Sequence, residues 1–206
     1  MLKAALLITS LGSVAVVAGL VLVGGALTPG YSHASHFISE LGASGAPLEG
    51  WVRFGGFLPA GMLLLAFCAL AGYSIPRSRA ALLGLAGLAV YAGGYLVAAF
   101  YPCDLGCRPA EPSVSQLIHN VGGFAGYLLA PGFLLLLASA ARSWPGASVV
   151  VIGGYVAAGV ALVGLLTLSP ESAAVGISQR ALEASVLGWV AVLGVHLAMR
   201  PAAAQL

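Results

Sequence analysis

Residues 4–27 read AALLITSLGSVAVVAGLVLVGGAL, a run with no charged side chain. A run of this length crosses a hydrocarbon core of about 30 Å at about 1.5 Å per residue. Because it follows Met1-Leu2-Lys3 it resembles a secretory signal. Its apolar stretch exceeds the roughly 7–15 residues of a signal core, however, so it reads as a retained first helix. Outward from it the pattern repeats, giving predicted spans over 4–28, 54–74, 81–101, 117–140, 147–168 and 180–199. The composition agrees: of 206 residues, 60% are hydrophobic and 7% charged, whereas a soluble domain carries about 25% charge. The predicted fold is an all-α integral membrane protein, one six-helix bundle over 1–206, with no room for a soluble domain.

Positive charge orients such a bundle. Lys3, Arg77, Arg79, Arg142 and Arg200 fall on the side of the termini, and Arg53, Arg108 and Arg180 on the other. That bias predicts both termini in the cytoplasm, in a prokaryotic inner membrane. The acids Glu40, Glu49, Asp104, Glu111, Glu171 and Glu183 map to the opposite, outer side, where the longer connections lie. A net charge of +2 with no basic run excludes a nucleic-acid partner and leaves membrane lipid, or a second copy in a homo-oligomer.

Twenty-nine glycines, many inside the spans, read as close helix packing. Pro59 and Pro131 are expected to kink the second and fourth spans. Cys103 and Cys107 share an outer connection, where an oxidising compartment would pair them as a disulfide. Free thiols and half of a metal site are the alternatives.

The polar chemistry gathers on the outer side. If 34–41 forms a short amphipathic helix, His33, His36 and Glu40 share one face, with Ser39 beside them, and Gly42 ends it. His119 stands at the outer end of the fourth span, and Arg180 with Glu183 opens the sixth, as a local i, i+3 ion pair or as part of the same cluster. An ionisable side chain at the edge of an apolar span is costly unless it faces a cavity or a partner. These groups and Asp104 are expected at about one depth, while His196 is alone on the other side.

Three histidines, His33, His36 and His119, with carboxylates would suffice for Zn²⁺ with an open position for water, and Glu40 or Asp104 would be the general base. The spacing is not His-Glu-x-x-His. Haem held by His119 with His33 or His36 is disfavoured, since no histidine pair lies within the spans and no Cys-x-x-Cys-His is present. A Ser-His-Asp site lacks a Gly-x-Ser-x-Gly elbow.

The segment His36-Phe37-Ile38-Ser39-Glu40-Leu41-Gly42-Ala43, then Gly45-Ala46-Pro47, with Tyr101-Pro102-Cys103-Asp104, Cys107 and Ile118-His119-Asn120, resembles the prokaryotic membrane family catalogued as domain of unknown function 998. The resemblance covers essentially the whole chain. It implies a six-helix bundle with these motifs on one face and brings no activity with it. Ile38-Ser39-x-x-Gly42 is similar to an element of the FGF receptor activating protein and autophagy modulator group, which is associated with lipid handling. Ser115-x-x-x-His119 and Ser32-x-x-x-His36 resemble the first zinc element of the alkaline ceramidase and adiponectin receptor group, whose later His-x-x-x-His pair is absent here.

The leading expectation is therefore a membrane protein that binds a lipid or amphiphile in an outward-facing polar vestibule lined by His33, His36, Ser39, Glu40, His119, Arg180 and Glu183. A zinc-dependent lipid hydrolase is the alternative and a small transporter the third.

Overall fold

A computed structural model describes residues 1–200; the last positions of the expected domain, 201–206, lie outside the described residues. Six helices run α1 Leu2–Leu27, α2 Leu58–Ser74, α3 Arg79–Phe100, α4 Val114–Ala141, α5 Ser148–Leu166 and α6 Val175–Met199. A π-helical segment, Trp51–Phe57, runs directly into α2. With that segment counted, all six are long and apolar enough to cross a bilayer, and no strand occurs among the described residues. The chain is a multi-pass, all-α membrane protein.

Each helix packs on its neighbour in sequence, and α6 returns against α1, so the bundle closes as a ring, with α6 the most buried member. Small residues allow this, since without a hydrophobic drive between helices in lipid, close backbone approach supplies the packing. A methyl group added at Gly126 of α4 would come within 2.8 Å of the Tyr91 Cα on α3, and one at Gly87 within 2.7 Å of the Phe133 Cβ. Gly194 of α6 is packed on the Ser10 side chain of α1. The Ser10 hydroxyl donates to the Leu6 carbonyl one turn back, so its burial leaves no orphaned donor. Pro59 is the second residue of α2, but because the π-helical segment runs into that helix it lies inside one continuous span, Trp51–Ser74. Pro131 lies inside α4.

Two short connections lie on the face of the termini and three longer ones on the opposite face, hereafter the loop face. Here the structure departs from the expected helix over 34–41. Turns lead into a 3₁₀ helix over Ile38–Gly42. Side chains divert the donors an α-helix needs: the Ser32 amide donates to His36 Nδ1 and the Phe37 amide to the Glu40 carboxylate, both at 2.8 Å. The carbonyls go to α6, where Ala34 accepts from the Ile177 amide and His36 from Arg180. The loop sits so close that a Cβ at Gly176 would meet the His33 and His36 carbonyl oxygens at 2.5 and 2.6 Å.

Candidate functional site

Beneath this loop is a cavity of about 370 Å³ between α3, α4 and α6. Its walls are mostly apolar, with Phe37, Phe57, Ala98, Phe124 and Leu168 among them, and Ser39, His119 and Asn120 also line it. Glu183, Tyr91, Tyr95, Tyr127 and Gln179 supply the polar groups from α3, α4 and α6.

Glu183 is the chemical centre. The sixth span was expected to open at 180, one turn before Glu183; α6 instead begins at Val175, which sets Glu183 about 12 Å along the helix at about 1.5 Å per residue. It is 7% exposed, and a carboxylate so placed must be satisfied by protein. Tyr91 and Tyr95 donate to its Oε2, the latter at 2.6 Å, and Tyr127 donates to Oε1 at 2.6 Å. Tyr91 and Tyr95 are one helical turn apart, which aims both phenols at one point. The Gln179 amide, one turn before Glu183, donates to the Tyr127 hydroxyl at 2.8 Å and accepts from the Ile38 amide at 2.6 Å. A continuous hydrogen-bonded line thus joins the loop to the buried acid.

The expected Arg180–Glu183 ion pair does not form. Arg180 turns outward, where its guanidinium donates to the His36 and Gly176 carbonyls at 3.0 Å and to the Tyr31 hydroxyl, and lies over the Tyr31 ring. Tyr31 donates in turn to the Phe37 carbonyl at 3.0 Å. Burial pushes the Tyr31 phenol above its usual range, outweighing the nearby guanidinium. Among the described residues the ion pairs are Glu49 with Arg53 and Glu40 with Arg108, so no cationic side chain pairs with Glu183.

The expected cluster therefore divides. Ser39 and His119 line the cavity with Glu183, whereas Arg180, His36 and Glu40 build the loop above it. His33 is exposed beside Gly25 of α1, edge-on to Tyr31. His119 Nδ1 lies 2.9 Å from the Tyr101 carbonyl; a carbonyl only accepts, so the proton is on Nδ1. His33, His36 and His119 do not converge: among the described residues no group of three or more His, Cys, Asp or Glu could hold a metal ion. The imidazoles of His36 and His119 are each engaged by a backbone group, the Ser32 amide and the Tyr101 carbonyl.

Asp104 is likewise spent on structure. Its carboxylate accepts from the Ser113 amide at 2.9 Å, which holds it below the usual carboxylate range, and its own amide donates to Gln116 Oε1. Cys103 and Cys107 are joined as a disulfide, and the Cys107 sulfur lies 3.4 Å from the Ser39 hydroxyl at the cavity wall. Arg108 clamps the loop face by donating to the Ser35 and Pro170 carbonyls and to Glu40. Tyr91, Tyr95, Tyr127 and Gln179 were not read from sequence. The one signal for them was the i, i+4 spacing of Tyr91 and Tyr95 in an otherwise apolar span.

A family model described as Protein of unknown function (DUF998) matches residues 10–196. No curated protein and no solved structure matches the chain.

Proposed function

The chain belongs to the DUF998 family of proteins of unknown function, and from that premise we propose that it binds a lipid or other amphiphile in the cavity of its loop face. The observation that carries the reading is the cavity itself. It holds about 370 Å³ behind apolar walls, with a few polar groups converging at its inner end, the usual make-up of a small-ligand site. An amphiphile entering from the bilayer would find apolar contacts along Phe124 and Leu168 and polar partners at Tyr127 and Glu183. The five-to-three distribution of positive charge supports a loop face outside the cytoplasm, in a prokaryotic inner membrane.

The hydrolase alternative asks for converging histidines and has no such set among the described residues. The transporter reading gains from a carboxylate within a span. Against it, the half of the bundle beyond Glu183 is filled by fully buried Leu64, Phe67, Leu134, Leu137 and Leu193, which supports a blind pocket. Gly123→Leu tests the binding reading, because a Cβ there meets nothing within 4 Å and the added bulk enters at the cavity wall. Lipid mass spectrometry on washed, detergent-purified protein should find about one retained amphiphile per chain in the wild type, as one ligand in this cavity requires, and little in the variant. Equal retention in a folded variant contradicts the proposal.

A further inference from the structure

We infer that the ligand carries an ammonium group, primary or quaternary, which sits against the Glu183 carboxylate inside a wall of aromatic rings. The inference rests on the amphiphile-binding reading and names its headgroup chemistry.

The first ground is charge. Tyr91, Tyr95 and Tyr127 all donate to the Glu183 oxygens, an arrangement suited to an ionised carboxylate, which only accepts, and these neutral donors supply no counter-charge. Among the described residues no lysine or arginine lines the cavity, and the guanidinium one turn away on the same helix, Arg180, is engaged with Tyr31 and backbone carbonyls. His119, the other ionisable group with the acid and phenols in the lining, is tied through Nδ1 to the Tyr101 carbonyl. A charge so deep in an apolar bundle is stabilised by a counter-charge, and the cavity is where one can enter. An anionic headgroup would instead meet the carboxylate with no cation beside it.

The second ground is geometry. A carboxylate offers about four lone-pair positions; Oε2 accepts from two phenols and Oε1 from one, so one direction stays open, on Oε1. That admits a single N–H or a compact charge, not the paired donors of a guanidinium fork. A divalent metal would need several hard oxygen ligands, and the other groups around this point are neutral phenols and rings.

The third ground is the wall. Phe57 lies 6.2 Å from Tyr95, Tyr95 lies 5.7 Å from Tyr91, and Tyr127 lies 6.3 Å from Tyr91, ring centre to ring centre, and all four line the cavity. Aromatic faces around an anionic pole attract ammonium groups, which the negative face of each ring stabilises. A zwitterionic headgroup placed this way leaves its phosphate toward the mouth, where Ser39 and Asn120 line the cavity.

The test uses the full chain in detergent micelles and native mass spectrometry of lipid adducts. The probes are phosphatidylethanolamine and N-acetyl phosphatidylethanolamine of the same acyl chains, the second lacking the positive nitrogen. The wild type should retain the first about tenfold more than the second, within reach of a desolvated cation–aromatic and carboxylate pairing. Glu183→Gln should abolish that preference. Equal retention of both probes by the wild type overturns the ammonium inference and leaves the amphiphile reading intact; retention of neither overturns both. The comparison of probes needs no variant, so a Glu183→Gln protein that fails to fold does not blunt the test. A folded Glu183→Gln protein that keeps the preference also overturns the inference. Tetramethylammonium chloride separates the sources: displacement of the lipid assigns recognition to a free ammonium ion, and a persisting lipid preference without displacement assigns it to the headgroup of an anchored amphiphile, both supporting the site.

Discussion

Glu183 and its three phenols concentrate the polar energetics of the bundle in one place. Glu183→Ala orphans three hydroxyls, at about 1–3 kcal/mol for each that finds no new partner. Its unfolding midpoint in detergent should fall clearly, and Glu183→Gln, which keeps an acceptor, should lose less than half as much. An unchanged midpoint in Glu183→Ala would mean the network contributes nothing. On the loop face, Asp104 gives a pH signature. The Ser113 amide lowers its folded-state pKa, so the contact stabilises fully above the unfolded carboxyl value of about 3.9 and is lost as pH falls through the folded value. Stability measured from pH 6 downward, a range that spans the change, should therefore decline less steeply in Asp104→Asn than in the wild type; parallel curves would remove Asp104 from the account.

Elements were legible where composition decides them and opaque where tertiary contacts do. The apolar runs announce six helices because a span must be long and nearly uncharged, and these are the helices found. The start of α6 was misplaced since Val175 to Gln179 reads as polar loop; it becomes helix because Ala34, Ile38 and His36 supply partners across the loop face. The 34–41 segment failed for the reciprocal reason, its donors and acceptors being taken by side chains and by α6. This docking is testable at Gly176. An alanine Cβ would lie 2.5 Å from one loop carbonyl oxygen and 2.6 Å from another, both backbone and unable to swing aside. Gly176→Ala should cost about 1–3 kcal/mol, the usual range for overpacking. Limited proteolysis should find the 30–50 loop cleaved faster in Gly176→Ala than in Gly126→Ala, whose added methyl meets Tyr91 between α3 and α4. Equal cleavage in the two would contradict the docking.

For the molecule as a whole, the ring of six helices closes one half with packed leucines and leaves the other half to aromatic and polar side chains under a clamped loop. The sequence reading grouped Glu183, Ser39 and His119, and these three line one cavity in the structure. It could not find the tyrosines, because a phenol in a span reads as one more apolar ring until a carboxylate from another helix is seen beside it. The histidines misled for a related reason: spacing cannot tell a metal ligand from an imidazole held by a backbone group, as His36 and His119 are. The claim that binds these scales is that an amphiphile occupies this cavity, and photo-crosslinking tests it most directly. A lipid bearing a diazirine in its acyl chain, incorporated with the full chain into bilayers, should label the buried lining residues Ile38, Phe57 and Tyr95, and Gly123→Leu should suppress that labelling. Crosslinks confined to the exposed belt, at residues such as Leu22, Leu83 and Val149, with the cavity wall unlabelled, would contradict it.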